Sequence, residues 1–224
     1  MIQPLGEQSF RGKTLIGAAH VFLVSLLVYS CTLAPTVTPV DSGELIVAAR
    51  FLGVAHPPGF PLYLILAHLF SLTPIGSIAF RINFASAFFA ALASGLLTLV
   101  TAELIASASY LTEGKVKRKK KLARAGVKDK GKSGWVLNIF PAVPSGLLLA
   151  FSRTLWSYGT IAEVYTLNTL LIVTIIFLIA RWRRRILEDP RWTHGKSGKP
   201  TITDHDGPLY AAAITFGLAS EFTT

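Results

Sequence analysis

Cysteine is all but missing from this chain, acidic residues are few, and charge of either sign is thin. Its 224 residues hold one cysteine, 12 Asp and Glu, and 22 Lys and Arg. The lone Cys31 rules out a disulfide framework and any metal site built on paired cysteines. Charged residues make up 15% of the chain and hydrophobic ones 51%, whereas soluble domains carry about 25% charged residues, so an ordinary soluble domain is excluded. There is no Rossmann or P-loop glycine pattern, hence no nucleotide cradle of either kind, and no internal repeat. No small-x-small cleavage site follows the first apolar run, whose core exceeds the roughly 7–15 residues of a signal peptide. That run reads as a retained helix.

Long apolar runs are what the chain does have. A spanning helix needs about 20 mostly apolar residues. Runs at 14–34, 78–108, 135–153 and 161–180 meet or approach that length, and an incomplete one starts at 208. The expected architecture is an all-α integral membrane protein, a polytopic helical bundle. Ala87, Ala91 and Gly95 recur every four residues in the second run, the spacing of close helix packing. The net charge of +10 follows the same map. Ten basic residues fall between Lys115 and Lys132, seven between Arg181 and Lys199, and Arg11 and Lys13 precede the first run. Four alternating spans put these zones on one side, which the positive-inside rule makes cytoplasmic. The basic cytoplasmic loops are then 111–134 and 181–207. The run Lys117-Arg118-Lys119-Lys120-Lys121 has no interleaved aromatics, so it argues for no nucleic acid. Its partner is the bilayer, with attraction to anionic lipid as an addition.

The other face carries an outer loop over 35–77 and a tight turn near 152–160. Asp41-Ser42-Gly43-Glu44 and His56-Pro57-Pro58-Gly59-Phe60-Pro61 lie in that loop. Ionisable groups beside hydrocarbon are costly and ask for a reason. Asp-x-x-Glu is a capping-box spacing, so Asp41 or Ser42 can start a short helix with Glu44 in its first turn. Leu45, Ala48, Ala49 and Leu52 then share one side, suited to lying along the membrane surface. Gly53 and the proline run stop it, and Leu62 to Leu72 is too short to span, so it forms a second interfacial or re-entrant helix. A carboxylate here can also serve as general base toward a hydroxyl. A metal role for the pair lacks a third nearby ligand in sequence. His56 either lines a polar site or bonds a nearby carbonyl.

Arg81 and Asn83 sit at the outer mouth of the second run. The guanidinium either snorkels to water or grips a phosphate through paired hydrogen bonds. Trp156, Tyr158 and Tyr165 fit an aromatic belt. Glu163 lies at the start of the fourth run and Asn168 about 7.5 Å deeper at helical rise. Both point to a protein interior or a wet cavity.

In their order, Leu33-Ala34-Pro35-Thr36, the Asp41 and His56 motifs, Arg81-x-Asn83 and Glu163-Val164-Tyr165-x-Leu167-Asn168 resemble one membrane family. It is the protein O-mannosyltransferase family whose eukaryotic member modifies IPT domains of plexins and the Met receptor. The resemblance runs from about residue 30 to 180. It implies a GT-C type bundle of which 1–224 is the N-terminal part. It implies a polyprenyl phosphate sugar donor, dolichyl phosphate mannose in a eukaryote, with divalent metal use unspecified. It also implies an acceptor protein. Asp41 would be the catalytic base activating a Ser or Thr hydroxyl for inverting attack. Glu44, His56, Arg81, Asn83, Glu163, Tyr165 and Asn168 would bind substrate, with Arg81 on the lipid phosphate. The membrane would be the endoplasmic reticulum in a eukaryote or the inner membrane in a bacterium. Members continue beyond the tail Gly217 to Thr224, so the chain is expected to be a fragment or short form. The alternatives are a lipid or solute carrier, with Glu163, Asn168 and Arg81 along a path, and a non-catalytic truncated membrane subunit.

Overall fold

The computed structural model describes residues 5–39, 41–122, 134–188 and 206–222. Helix is the only regular structure among them: α1 (Leu5–Thr32), α2 (Ser42–Phe51), α3 (Pro61–Ser71), α4 (Ile78–Leu122), α5 (Gly134–Ala150), α6 (Arg153–Gly159), α7 (Tyr165–Glu188) and α8 (Gly207–Ala219), closed by a 3₁₀ turn at Ser220–Phe222. Hydrocarbon offers no partner to a backbone amide, and a helix satisfies its own. Three helices are long and apolar enough to cross a membrane, over Gly12–Thr32, Ile78–Ala108 and Tyr165–Leu187. The protein is an all-α, polytopic integral membrane protein.

Element ends differ from the hydropathy runs for local reasons. Helix α4 continues past its apolar part to Leu122, through the first half of the expected loop 111–134. Glu, Lys and Leu are good helix formers, and no proline intervenes. Helix α7 likewise carries Arg181 to Arg185 on to Glu188. The remainder of both basic loops, 123–133 and 189–205, lies outside the described residues. Helix α5 has 17 residues with Pro141 and Pro144 inside it, about 26 Å at helical rise. The chain turns at Phe151, and Ser152 accepts the Leu155 N–H to start α6.

Helix α4 is the hub. It packs against α1, α3, α5, α6 and α7, while α8 lies on α7 and α2 on α3. Its contact faces are made of small side chains: Ala85, Ser86, Ala87, Ala90, Ala91, Ala93 and Ser94 are all fully buried. The Ala87, Ala91, Gly95 spacing is thus a packing face. A Cβ on Gly95 would stand 3.0 Å from the Ala18 carbonyl of α1. On the α5 side, a Cβ on Gly146 would overlap Thr98 Oγ1 and stand 2.6 Å from the Ser94 carbonyl. Tyr29 of α1 donates to the Ala150 carbonyl at 2.6 Å, closing the bundle near the end of α5.

The expected outer loop is where α2 and α3 fold onto the end of α4. Leu45, Ala48, Ala49, Tyr63, Leu64 and Ala67 form one core with Ile82, Ala85 and Phe89 of α4 and Val164 and Leu167 near the start of α7. Leu52, expected on the same side as Leu45, is exposed. It occupies the left-handed conformation at the helix end (φ 51°), which swings it away.

Candidate functional site

Asp41 stands at the start of α2 and is exposed. Its backbone carbonyl accepts the Leu45 N–H at 3.0 Å, but its side chain makes no capping bond. The expected capping box is therefore not formed. The reason is the route taken by Glu44, which leans toward the following loop rather than back over the helix start. Glu44 Oε1 accepts the His56 N–H at 2.6 Å, and Oε2 lies 3.0 Å from His56 Nδ1. This two-point grip fixes the loop 53–60 to the first turn of α2. The His56 ring, then the His56 N–H, hold the Glu44 carboxyl below its ordinary range.

The proline motif sets the ring. The Gly59 N–H donates to the His56 carbonyl at 2.8 Å, and Gly59 takes φ 94°, a region open to glycine. Phe60 follows at φ 46°, unusual for a residue with a Cβ. The reversal places the Phe60 ring edge-on to His56, with centroids 5.5 Å apart. On its other side Phe60 stacks with Phe222 at 5.9 Å, so the turn after α8 also reaches this loop.

Glu163 arrives from the opposite direction. The expectation set it inside the fourth span, but α7 begins only at Tyr165. The segment 161–164 is held non-helical by bonds to its neighbours. The Glu163 N–H donates to Ser86 Oγ at 3.0 Å, and the Ser86 hydroxyl lies 3.2 Å from the Glu163 carbonyl. Tyr63 of α3 touches the same hydroxyl at 3.0 Å. One step earlier, the Ala34 N–H donates to the Thr160 carbonyl at 2.9 Å. Glu163 is buried, and its Oε2 accepts the Val164 N–H at 3.0 Å. Burial pushes the carboxyl up; the Val164 amide opposes this, the charge of Asp41 adds to it, and His56 pulls it down. Asp41 and His56 thus act on Glu163 through space. Three segments far apart in sequence meet here.

The other residues expected to bind substrate have local partners of their own or stand apart from this cluster. Arg81 donates to the carbonyls of Ser71 (3.0 Å), Ile75 (2.9 Å) and Gly76 (2.9 Å). It clamps the C-terminal end of α3, eleven residues and about 16 Å from the Phe60 end. Asn83 is buried, and its amide donates to the Ala34 and Thr36 carbonyls at 2.8 and 3.2 Å. It pins the segment leading into Asp41. Tyr165 is exposed and pairs with Tyr158 at 4.9 Å. Asn168, half-buried one turn into α7, makes no side-chain bond to the cluster among the described residues. The sequence pattern does not single out Ser86 or Tyr63. A serine inside an alanine-rich run reads as helix packing; the only hint is that a buried hydroxyl needs a partner. No three His, Cys, Asp or Glu side chains among the described residues gather closely enough to hold a metal ion.

Comparison with known proteins bears on this arrangement. Residues 41–220 match the family model described as Protein O-mannosyl-transferase TMEM260 N-terminal domain. The chain is similar to Protein O-mannosyl-transferase TMEM260 of Mus musculus, 33% identical over 178 residues, which cover 79% of this chain and 21% of the mouse protein. It is also similar to Protein O-mannosyl-transferase tmem260 of Dictyostelium discoideum, 31% identical over 184 residues, covering 80% of this chain and 19% of that one. The chain spans about a fifth of the length of these relatives. No solved structure matches.

Proposed function

Since the chain belongs to the protein O-mannosyl-transferase TMEM260 family, by its match over residues 41–220, we propose that it forms the N-terminal part of a membrane glycosyltransferase acting on proteins. The donor is a polyprenyl phosphate sugar, dolichyl phosphate mannose in a eukaryote. The acceptor is a Ser or Thr hydroxyl. The basic zones face the cytoplasm, and the Asp41 end faces the lumen of the endoplasmic reticulum or, in a bacterium, the periplasm.

In this reading the acceptor oxygen attacks the anomeric carbon as the bond from that carbon to the phosphate oxygen breaks. The hydroxyl proton passes to the Asp41 carboxylate, and polyprenyl phosphate leaves. Asp41 suits the base because it is exposed to an incoming chain, which Glu163 is not. Glu163 and the Glu44–His56 pair set the field around it. Hydrogen bonds hold these side chains in place, so they reorganise little when charge moves.

One observation carries the proposal: Asp41 stands exposed at the start of α2, one turn from Glu44, which ties His56 to that helix end, and buried Glu163 feels the charge of Asp41 at the same end of the bundle. The test is mannose transfer by membranes containing the full-length protein, wild type against Asp41→Asn. A general base contributes roughly 10²–10⁴-fold, so transfer is expected to fall by at least about 100-fold with insertion unchanged. Undiminished transfer by the variant would remove Asp41 from the role.

A further inference from the structure

At the end of the bundle opposite Asp41, a second polar constellation lies between α1, α4 and α7. Glu103 is 25 residues into α4, about 38 Å from its start, and Arg184 about 29 Å along α7. Both distances place them near the far boundary of a hydrocarbon core about 30 Å thick. Arg184 Nη1 donates to Glu103 Oε2 at 2.9 Å, with both side chains largely buried. One turn back on α7, the Arg181 guanidinium sits 5.8 Å from the centre of the Phe177 ring.

These groups line a cavity of about 240 Å³, far above the ~15 Å³ that one water needs. Its polar wall is Thr14, Glu103, Arg181 and Arg184; Leu15, Leu99, Ala102 and Phe177 make the apolar remainder. Helices α1 and α7 each pack on α4, with no comparable contact between them among the described residues. The cavity occupies the cleft where they part.

We propose that this cleft binds the phosphate headgroup of an anionic phospholipid. Among the described residues, two guanidinium groups and one carboxylate line the cleft, which makes this lining cationic. Guanidinium matches phosphate oxygens in shape as well as charge. The apolar wall continues into the lipid-facing surfaces of α1 and α7, where Leu15 is exposed, and takes the glycerol and upper acyl chain. A soluble anion has no use for that wall. Basic clefts between spanning helices suit anionic headgroups for this reason.

The test uses the full-length protein in nanodiscs of phosphatidylcholine with a minor fraction of phosphatidylglycerol, and native mass spectrometry to count retained lipids. Wild type is expected to retain phosphatidylglycerol above its share. Arg181 stands outside the ion pair, so Arg181→Gln should keep the fold and lower that enrichment about fivefold, while Arg181→Lys keeps part of it. Glu103→Gln removes the competing carboxylate and should raise enrichment. Equal retention by wild type and Arg181→Gln would overturn the site. Displacement of the lipid by millimolar inorganic phosphate would overturn its assignment to a lipid.

Discussion

Glu44 and Glu163 answer to acid in opposite senses. The bonds from His56 depress the Glu44 value below the ordinary 4.5. Its contribution is therefore complete above 4.5 and is lost as pH falls through the lower folded value. Burial raises Glu163, so its contribution is complete below its unfolded value and is lost as pH rises through the higher folded one. Of the two carboxylates, Glu44 is the one bonded to the loop 53–60 among the described residues. Amide exchange in that loop, corrected for intrinsic rate, is expected to quicken in acid for the wild type. Glu44→Gln should already exchange quickly at neutral pH and change little. A loop protected equally in both proteins would deny Glu44 its tethering role. The sequence marked both carboxylates and His56 because ionisable groups near hydrocarbon stand out. It did not mark Ser86, whose hydroxyl joins Tyr63 to the Glu163 backbone, because small residues suit a helix seam with or without a bond.

Among the elements, α4 and α5 lie close together at Gly146. An added Cβ there meets a backbone carbonyl, that of Ser94, at 2.6 Å and overlaps Thr98 Oγ1. A carbonyl inside a helix cannot turn aside, so α5 must move out. Gly146→Ala should destabilise the bundle by about 1–3 kcal/mol, read as a lower melting temperature in detergent. Gly95→Ala, whose nearest atom is 3.0 Å away, should cost less. If the two variants melted with the wild type, this seam would be looser than described. The helix seam at Ala87, Ala91 and Gly95 was legible from spacing, as were the short helices α2 and α3, broken by Gly53 and the prolines. The start of α7 was not. Hydropathy runs on through 161–164, but Ser86 takes the Glu163 amide and holds that segment out of the helix.

At the scale of the molecule, the bundle has two chemically different ends. One gathers Asp41, Glu44, His56 and Glu163; the other gathers Glu103, Arg181 and Arg184. The proposed topology puts Val54, which is 88% exposed, on the non-cytoplasmic side. In a chain carrying Val54→Cys and Cys31→Ser, a membrane-impermeant maleimide should label sealed vesicles only from the side opposite the basic loops. Labelling from the basic side would reverse the orientation. Charge and hydropathy are what the expected sidedness rests on, since both respond to the bilayer. The pairing of Glu103 with Arg184 was not legible in the sequence, because it joins positions 81 residues apart on different helices.

The stacking of Phe222 on Phe60 beside His56 has a consequence in time. Asp41 and Phe222 are separated by 181 positions, as 222 minus 41, and a ribosome adds roughly 5–20 residues per second. The first loop therefore leaves the ribosome about 10–40 s before the segment that shelters its aromatic turn. Glu163 follows Asp41 by 122 positions, as 163 minus 41, so the carboxylates and histidine of the loop stand first without Glu163 and then, to the end of that interval, without Phe222, and the site reaches its described form only late in synthesis.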